Sequence, residues 1–245
     1  MVFENISFRD KFGEERKLEF NNFYCVDCME VLKLMPDKSI DLCIVDPPYG
    51  IERFKHGGSV INKYGNEKGI WNNEKPSKEY FDELFRVSKN QIIWGANNFE
   101  LPTSEYFIIW DKVNPENFSF AMCEMAWTNC RKPAKIFKLN SMQQDRIHPT
   151  QKPVALYIWL LQNYAKKGDK ILDTHVGSAS SLIACHKLGF EYIGFELDED
   201  YWKSATARLE AVKSQLSFFD EPIAKKRIES VTAVQMEFKG VANGF

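Results

Sequence analysis

Short apolar runs alternate with amphipathic segments along most of the chain. The clearest run, Ile40–Val45, is typical of buried parallel strands, and it stops at two prolines that cannot continue a central strand. Other strands are predicted at residues 23–26, 91–94, 106–110, 124–128, 134–137, 170–173 and 192–195. Helices are predicted at about residues 77–87, 151–165, 179–188 and 199–216. This alternation predicts an α/β fold built on a parallel sheet.

Composition narrows the class of protein without indicating a partner. The 245 residues are 44% hydrophobic and 27% charged, as in ordinary globular chains, so wholesale disorder is excluded. No apolar run reaches the roughly 18 to 20 residues that a membrane-spanning helix needs. The N-terminus lacks the pattern of a secretory signal, so we expect a cytoplasmic location. The formal net charge of -2 gives no overall sign of a polyanionic partner.

The six cysteines are expected to be reduced thiols, because most of them lie in apolar segments and no export signal is present. Cys25 and Cys28 have the spacing of half a zinc site, with Cys123 and Cys130 as a conceivable second half. The second spacing is poor and neither pair has a suitable histidine. Plain burial is therefore the favoured interpretation, and no metal is expected.

Two predicted strand ends carry candidate chemistry, and the first is the turn Asp-Thr-His-Val-Gly-Ser at 173–178. Glycine in such a turn lets the backbone approach a ligand, and the following helix N-terminus offers amide donors. The next strand ends at Glu196, which is placed to accept hydrogen bonds from ribose hydroxyls. The pattern indicates half of a nucleoside-cofactor site. Because the full G-x-G-x-x-G is absent, a purely structural turn with a helix cap stays open.

The second strand end is Asp46-Pro47-Pro48-Tyr49. In a structural interpretation this is a rigid turn with a capping aspartate. In a functional interpretation Asp46 and the Pro47 carbonyl accept the two protons of an exocyclic amino group, and the Tyr49 ring stacks on the planar base. Enzymes that act on a base extract it from the helix and hold it through such contacts.

Taken together, these motifs resemble the amino-methylating DNA methyltransferases, the family of N6-adenine and N4-cytosine enzymes. The resemblance covers about residues 22–212 and includes His-Pro-Thr-Gln-Lys-Pro at 148–153 and Trp-Gly-Ala-Asn-Asn at 94–98. The catalytic motif precedes the cofactor motif, as in the beta class. The resemblance implies a Rossmann-like, S-adenosylmethionine-dependent methyltransferase sheet with helices on both faces and a circularly permuted motif order. It also implies that the strand around Tyr24 pairs with the strand ending at Glu196.

The resemblance further implies roles for single residues, beginning with a catalytic set of Asp46, Pro47, Pro48 and Tyr49. The implied cofactor-binding residues are Asp27, Thr150, Lys152, Asp173, His175, Gly177, Ser178 and Glu196. Among these, Asp27 is expected beside an adenine ring, Glu196 on the ribose hydroxyls, and Thr150 with Lys152 near the cofactor's carboxylate. The chain departs from the usual pattern at Thr174, His175 and Ala179, where the family has proline, an aromatic residue and a second glycine.

The family pattern associates aspartate at the first catalytic position with adenine and serine with cytosine, so Asp46 favours adenine N6 as the target. A cytosine C5 enzyme typically uses a Pro-Cys pair, which the chain lacks. Contacts to double-stranded DNA are expected from residues 51–76 and 113–147, where basic residues are interleaved with polar and aromatic ones. The candidate DNA-binding residues are Arg53, Lys55, Lys63, Arg131, Lys132 and Lys138.

Several alternatives stay open. N4-cytosine and RNA amino-methylation share the same chemistry, whereas protein-glutamine methylation is disfavoured by Asp46, because those enzymes tend to have asparagine there. A nicotinamide-dependent oxidoreductase and a catalytically inactive DNA-binding module are the hypotheses from other classes. We expect residues 1–216 to form the catalytic domain and residues 217–245 to form a C-terminal arm or tail. A homodimer is compatible with the sequence.

Overall fold

The computed structural model describes residues 3, 5–50, 75–115, 121–140 and 151–220, with side chains to residue 215. The strands are β1 Ser7–Arg9, β2 Glu15–Lys17, β3 Asn22–Cys25, β4 Ile40–Val45, β5 Ser88–Trp94, β6 Phe107–Asp111, β7 Cys123–Thr128, β8 Lys135–Lys138, β9 Lys170–Asp173 and β10 Glu191–Glu196. The helices are α1 Cys28–Leu32, α2 Lys78–Val87, α3 Val154–Tyr164, α4 Ser180–Leu188 and α5 Glu199–Asp220, with a 3-10 turn at Ala96–Asn98. Each predicted strand and helix overlaps an observed one, whereas the β1–β2 hairpin was not predicted.

Eight strands form one sheet in the order β3-β10-β9-β4-β5-β7-β6-β8. All neighbouring strands are parallel except β7, which is antiparallel to both β5 and β6. The parallel sheet that the alternation predicts thus contains one reversed strand, β7. Residues 112–122 join β6 to β7, and this connection is shorter than the crossover of about a dozen or more residues that a parallel pair requires. The pairing of β3 with β10 is as the resemblance implied, with Glu196 opposite Cys25.

The order in which the chain adds strands to the sheet reverses between β9 and β4, although the two strands are parallel. From β4 it passes through α2 to β5 on one side, and from β9 it passes through α4 to β10 on the other. Strands β4 and β9 are themselves neighbours, with Cys43 opposite Leu172. Such a reversal opens a crevice at the carboxyl ends of the two strands, which is where open α/β sheets bind their ligands.

Helices cover both faces of this sheet. Cys43 and Val45 on β4 share a buried cluster with residues of α1 and α2, such as Leu32 and Leu84. Because side chains alternate along a strand, the equally buried Leu42 and Ile44 point to the other face. Helix α4 packs on that second face, where a Cβ on Gly194 would lie 2.8 Å from Leu182 Cδ1. The predicted fold class is confirmed.

Helix α2 illustrates how the sequence specifies the packing beneath the site. Ser77 is its N-cap, as predicted, and the Ser77 hydroxyl accepts a hydrogen bond from the Tyr80 amide. The buried positions Tyr80, Phe81, Leu84 and Val87 follow helical spacing and form one apolar stripe. This stripe fixes α2 against the sheet and so fixes the start of β5.

The chain divides into two compact units, Met1–Thr206 and Ala207–Phe245. In the second unit the described part is the C-terminal portion of α5, which extends to Asp220 rather than ending near residue 216. The predicted domain boundary at 216 stays a prediction. None of the helices in the described ranges combines the length and apolar character needed to cross a membrane. Five cysteines are buried and free, and Cys123 is exposed and free.

Candidate active site

Asp46 lies immediately after β4, at one side of the crevice, and both of its carboxylate oxygens have partners. The Tyr49 hydroxyl donates to Asp46 Oδ1 at 2.6 Å. The Lys152 ammonium forms an ion pair with Asp46 Oδ2 at 2.5 Å. Two members of the predicted catalytic set are thus in direct contact, together with a lysine that the resemblance placed near the cofactor's carboxylate.

Lys152 is buried and belongs to a larger network of half-buried charged side chains that includes a residue from the reversed strand. Its ammonium also contacts Glu124 Oε2 at 3.0 Å, and Glu124 Oε1 contacts the Lys112 ammonium at 2.5 Å. The Lys152 side chain is 2% exposed and lies 5.4 Å from the centre of the Trp94 ring. The order Lys112–Glu124–Lys152–Asp46 therefore alternates positive and negative charges. We call these four residues the charge network.

Burial and neighbouring charges act differently on the two carboxylates of the network. Burial raises the pKa of Asp46, and the negative charge of Glu124 adds to this against the opposing effect of Lys152. Burial also disfavours ionised Glu124, but Lys152 and Lys112 outweigh it and lower the pKa of Glu124 to about 2. Glu124 is thus a permanent anion, whereas Asp46 holds a proton more readily than an ordinary aspartate.

Tyr49 is positioned by the glycine that follows β5. Gly95 has a φ of +70°, and a Cβ at this position would lie 2.1 Å from Tyr49 Cε1. Both the backbone conformation and the close approach require glycine. The Tyr49 ring also meets Phe99 edge-on, with ring centres 6.1 Å apart. The Trp-Gly-Ala-Asn-Asn segment therefore supports the Tyr49 ring.

Asp173 lies on the other side of the crevice, at the end of β9. It accepts hydrogen bonds from the Ser181 hydroxyl at 2.5 Å and from the His175 amide at 3.0 Å. Burial raises the pKa of Asp173 to about 7. In the same turn, Gly177 has a left-handed φ of +55°, and Ser178 is buried with its hydroxyl 3.1 Å from that of Ser180.

Glu196 and Asp27 stand at the next two strand ends. Glu196 accepts hydrogen bonds from the Gly177 amide at 2.8 Å and from the Asp198 amide at 2.9 Å, and burial raises its pKa. Asp27 caps α1 by accepting from the Met29 amide at 2.9 Å, and its side chain is exposed. Because β3 and β10 are paired in parallel, both carboxylates lie at the same edge of the sheet as Asp46.

His175 takes the place of the family's aromatic residue and packs as one. Its ring meets Tyr80 edge-on, with ring centres 5.3 Å apart. Its Nδ1 lies 2.9 Å from the Thr174 hydroxyl, which in turn lies 2.7 Å from the Tyr80 hydroxyl. Burial lowers the pKa of His175 to about 4, so the ring is neutral near pH 7.

The predicted DNA-binding residues fall into three groups. Arg53, Lys55 and Lys63 lie outside the described residues, as does the cofactor candidate Thr150. Arg131 and Lys132 follow the reversed strand β7, which brings them to the edge of the sheet opposite Asp46, and the Lys132 ammonium donates to the Asn163 carbonyl. Lys138 ends β8 at the Asp46 edge, 3.8 Å from Asp111 Oδ2. The structure does not bring Arg131 or Lys132 to the crevice, and their contact with DNA stays a prediction.

The sequence interpretation missed the roles of Glu124 and Lys112. Glu124 stood only at the start of the predicted strand 124–128, and no role was predicted for Lys112. Their signal is weak, because a charged residue near a strand end is usually exposed. Only the pairing of β7 with β6, in which Glu124 lies opposite Trp110, brings them together.

The fold and the crevice define a Rossmann-like α/β enzyme of the methyltransferase type. The family described as DNA methylase matches residues 104–207. The type II methyltransferase M.HinfI of Haemophilus influenzae is 26% identical, over 86% of this chain and 75% of its own. Together these matches support the resemblance of the chain to the amino-methylating DNA methyltransferases.

Two solved structures share this fold. That of the M1.HpyAVI–SAM complex has a TM-score of 0.51 and 22% identity, over 76% of this chain and 98% of that one. That of the PvuII DNA methyltransferase, which is cytosine-N4-specific, has a TM-score of 0.53 and 13% identity, over 79% of this chain and 90% of that one. At these identities the likeness concerns the fold alone.

Proposed function

We propose that this chain transfers a methyl group from S-adenosylmethionine to the N6 amino group of an adenine flipped out of double-stranded DNA. The observation that carries the proposal is the neighbouring position of β4 and β9. Their ends place Asp46, an acceptor for an amino group, beside the turn that begins at Asp173. A methyl acceptor and a methyl donor must meet in this way for direct transfer.

The residues at β9, β10 and β3 fit this cofactor. The cofactor is a nucleoside that carries a positively charged sulfonium and an ammonium group. Asp173 is buried and Glu196 is half-buried, both carboxylates are held by hydroxyl or amide donors, and within the described ranges neither forms an ion pair with a lysine or arginine. A cationic ligand would supply the missing positive charge and stabilise their ionised forms.

Residue roles follow from these positions. Glu196 would accept from the ribose hydroxyls, because a carboxylate has about four acceptor sites and the structure fills two of them with amides. Asp27 would lie by the adenine of the cofactor, and Asp173 and Gly177 by its methionine part. When bound, the cofactor supplies an electrophilic methyl group: the N–C bond forms as the C–S bond breaks, and its electron pair stays on sulfur.

The chain's own contribution is to orient the target nitrogen and to receive its proton. The amino lone pair of adenine is conjugated with the ring, which makes it a poor nucleophile. Hydrogen bonds from its protons to Asp46 and to the Pro47 carbonyl would favour a more tetrahedral nitrogen. Asp46 can then take up the proton that the methylated nitrogen releases, a role supported by its raised pKa. Positioning and electrostatics supply the catalysis.

N4-cytosine methylation is the second candidate, because Asp46 and the Pro47 carbonyl would accept equally from the exocyclic amino group of cytosine. Both reactions are tested by incubating the protein with labelled S-adenosylmethionine and duplex DNA of mixed sequence. Digestion to nucleosides and mass spectrometry should give N6-methyladenine. N4-methylcytosine would support the second candidate, and no methylated nucleoside would contradict both. Parallel arms with single-stranded DNA and RNA test the preference for duplex DNA.

A further inference from the structure

The Lys152 ammonium has two carboxylate partners, and the one on Asp46 is the nearer. It lies 2.5 Å from Asp46 Oδ2 and 3.0 Å from Glu124 Oε2. The rings of Trp94 and Tyr49 flank it, with centres at 5.4 and 5.7 Å. These walls keep the ammonium away from water, so a shift toward Glu124 is a small movement within a closed space.

Glu124 is anchored independently of Lys152. Its Oε1 contacts the Lys112 ammonium at 2.5 Å, and Lys112 also packs 5.2 Å from the centre of the Trp110 ring. One oxygen of Glu124 is therefore fixed by Lys112, while the other faces Lys152. Such an arrangement can hold Lys152 whether or not Asp46 is charged.

We propose that Glu124, held by Lys112, is a positioning residue that retains the Lys152 ammonium while Asp46 receives the proton of the methylated amino group. This inference rests on the proposed function. It assigns Lys152 a place in the proton balance of the reaction, in addition to any contact with the cofactor.

The charges balance through this step. Before transfer the network holds two ammonium and two carboxylate groups and is neutral. The proton moves from the methylated nitrogen to an Asp46 oxygen, and the electron pair of the broken N–H bond stays on nitrogen. Asp46 becomes neutral and the network gains one positive charge. Without Glu124 the buried Lys152 would then have no anionic partner, which is costly in a low-dielectric site.

The inference predicts how the proton affinity of Asp46 responds to its surroundings. The groups that act on Asp46 are Tyr49 and Lys152 by contact, Glu124 through its charge beyond Lys152, and Asp173 and Tyr157 across the crevice. Removing the charge of Glu124 should leave Lys152 wholly to Asp46 and lower its pKa. Removing the charge of Lys112 should draw Lys152 toward Glu124 and raise the pKa of Asp46.

The test compares Glu124→Gln, Lys112→Gln and the double variant by the pH dependence of kcat on duplex DNA. Activity falls when Asp46 is protonated, so the acid limb reports its pKa. Glu124→Gln should lower kcat by about 10-fold and move the acid limb about one pH unit lower, and Lys112→Gln should move it higher. The double variant restores a neutral network and should return the limb to near its wild-type position.

Two further measurements make the result specific. Cofactor Kd from calorimetry should stay within about 2-fold of wild type, since none of these changes touches Asp173 or Glu196. The matched control is Lys89→Gln, because Lys89 pairs with Asp41 at 2.7 Å at the far ends of β4 and β5. This variant should leave the acid limb unchanged.

The outcomes separate the inference from the proposed function. Wild-type protein that methylates no amino group overturns the proposed function and removes the basis of this inference. Active wild type whose acid limb moves in the same direction in both single variants, or in neither, overturns the inference alone. If the Glu124→Gln variant does not fold, Lys112→Gln and the double variant decide. An acid limb that moves higher in Lys112→Gln and returns to its wild-type position in the double variant supports the inference. An acid limb that does not move in Lys112→Gln overturns the inference.

Discussion

The two sides of the crevice hold their carboxylates by different means. At the end of β4, Asp46 lies among charges, with Lys152 at 2.5 Å and Glu124 beyond it. At the ends of β9 and β10, Asp173 and Glu196 accept from backbone amides and a serine hydroxyl. Asp173 is buried, whereas Asp46 and Glu196 are half-buried, and the main difference between the two sides lies in where the compensating charge comes from.

This difference indicates which side of the crevice would gain most from the positive charge of a ligand. On the β4 side the protein supplies its own cations, which suits a neutral target whose charge appears only during reaction. On the β9 side the described residues supply none, and burial, with the negative charges of Asp46 and Glu196 adding to it, raises the pKa of Asp173 to about 7. Such a site gains most from a ligand that brings a positive charge with it. The two halves are therefore expected to respond differently to loss of a carboxylate.

The largest effect on kcat is expected on the β4 side of the crevice. Asp46→Asn removes the proton acceptor while preserving shape, so kcat should fall by about 100-fold or more. Cofactor Kd, measured by calorimetry, should remain within about 2-fold. Asp41→Asn is the matched control, because Asp41 lies at the other end of β4 and pairs with Lys89. Equal loss of activity in both variants would contradict a specific role for Asp46.

The opposite result is expected at Glu196. Glu196→Gln weakens hydrogen bonds to a charged acceptor, so cofactor Kd should rise by about 10- to 100-fold, while kcat at saturating cofactor changes little. Glu199→Gln serves as the control, since Glu199 is on α5 and pairs only with Lys203 among the described contacts. The two sides would no longer be functionally distinct if Glu196→Gln lowered kcat as strongly as Asp46→Asn does.

On the β9 side, Asp173 should also make the stability of the cofactor-free protein depend on pH. The pKa of Asp173 is about 7 in the folded protein against an ordinary value of 3.8, so the native state binds the extra proton between about pH 4 and pH 7. The contribution of Asp173 to the free energy of unfolding therefore falls as pH rises through this window. His175 acts in the opposite direction. Its pKa is about 4 in the folded protein against an ordinary 6.5, so its contribution to the free energy of unfolding falls as the pH is lowered.

A difference measurement isolates Asp173 from His175. Urea denaturation of wild type and of Asp173→Asn at a series of pH values cancels the shared contribution of His175. The stability difference, wild type minus variant, should decline from about pH 4 to about pH 7 and then level off. A difference that stays constant across this range would show that Asp173 is ionised in the folded protein well below pH 7.

The two sides of the crevice also differ in how much of each could be predicted from the sequence. The β9 side is local: β9 was predicted at its observed bounds, and Asp173, Gly177 and Glu196 lie at strand ends and turns that apolar runs and glycine delimit. The charge network is not local. Lys112, Glu124 and Lys152 come from separate segments, and only the reversed strand β7 and its register with β6 join them. Periodicity gives the position of a strand but not its direction or partner.

The smallest expected effect concerns the turn that leads into α4. Ala179 is fully buried and has a φ of +61°, a left-handed conformation that costs a non-glycine residue about 1 kcal/mol. The family's second glycine stands at this position, and the structure now supplies its physical reason. Ala179→Gly should therefore raise the free energy of unfolding by about 1 kcal/mol, with a higher Tm.

The matched control for this prediction is an alanine in ordinary helical conformation. Ala211 is exposed within α5, so Ala211→Gly should lower the stability by about 1 kcal/mol, the reverse sign. Thermal unfolding of both variants under the same conditions measures this contrast. Destabilisation by Ala179→Gly as well would mean that the methyl group contributes more packing energy than the backbone strain removes. In that case the packing around the Ala179 methyl group would compensate fully for the backbone strain at this position.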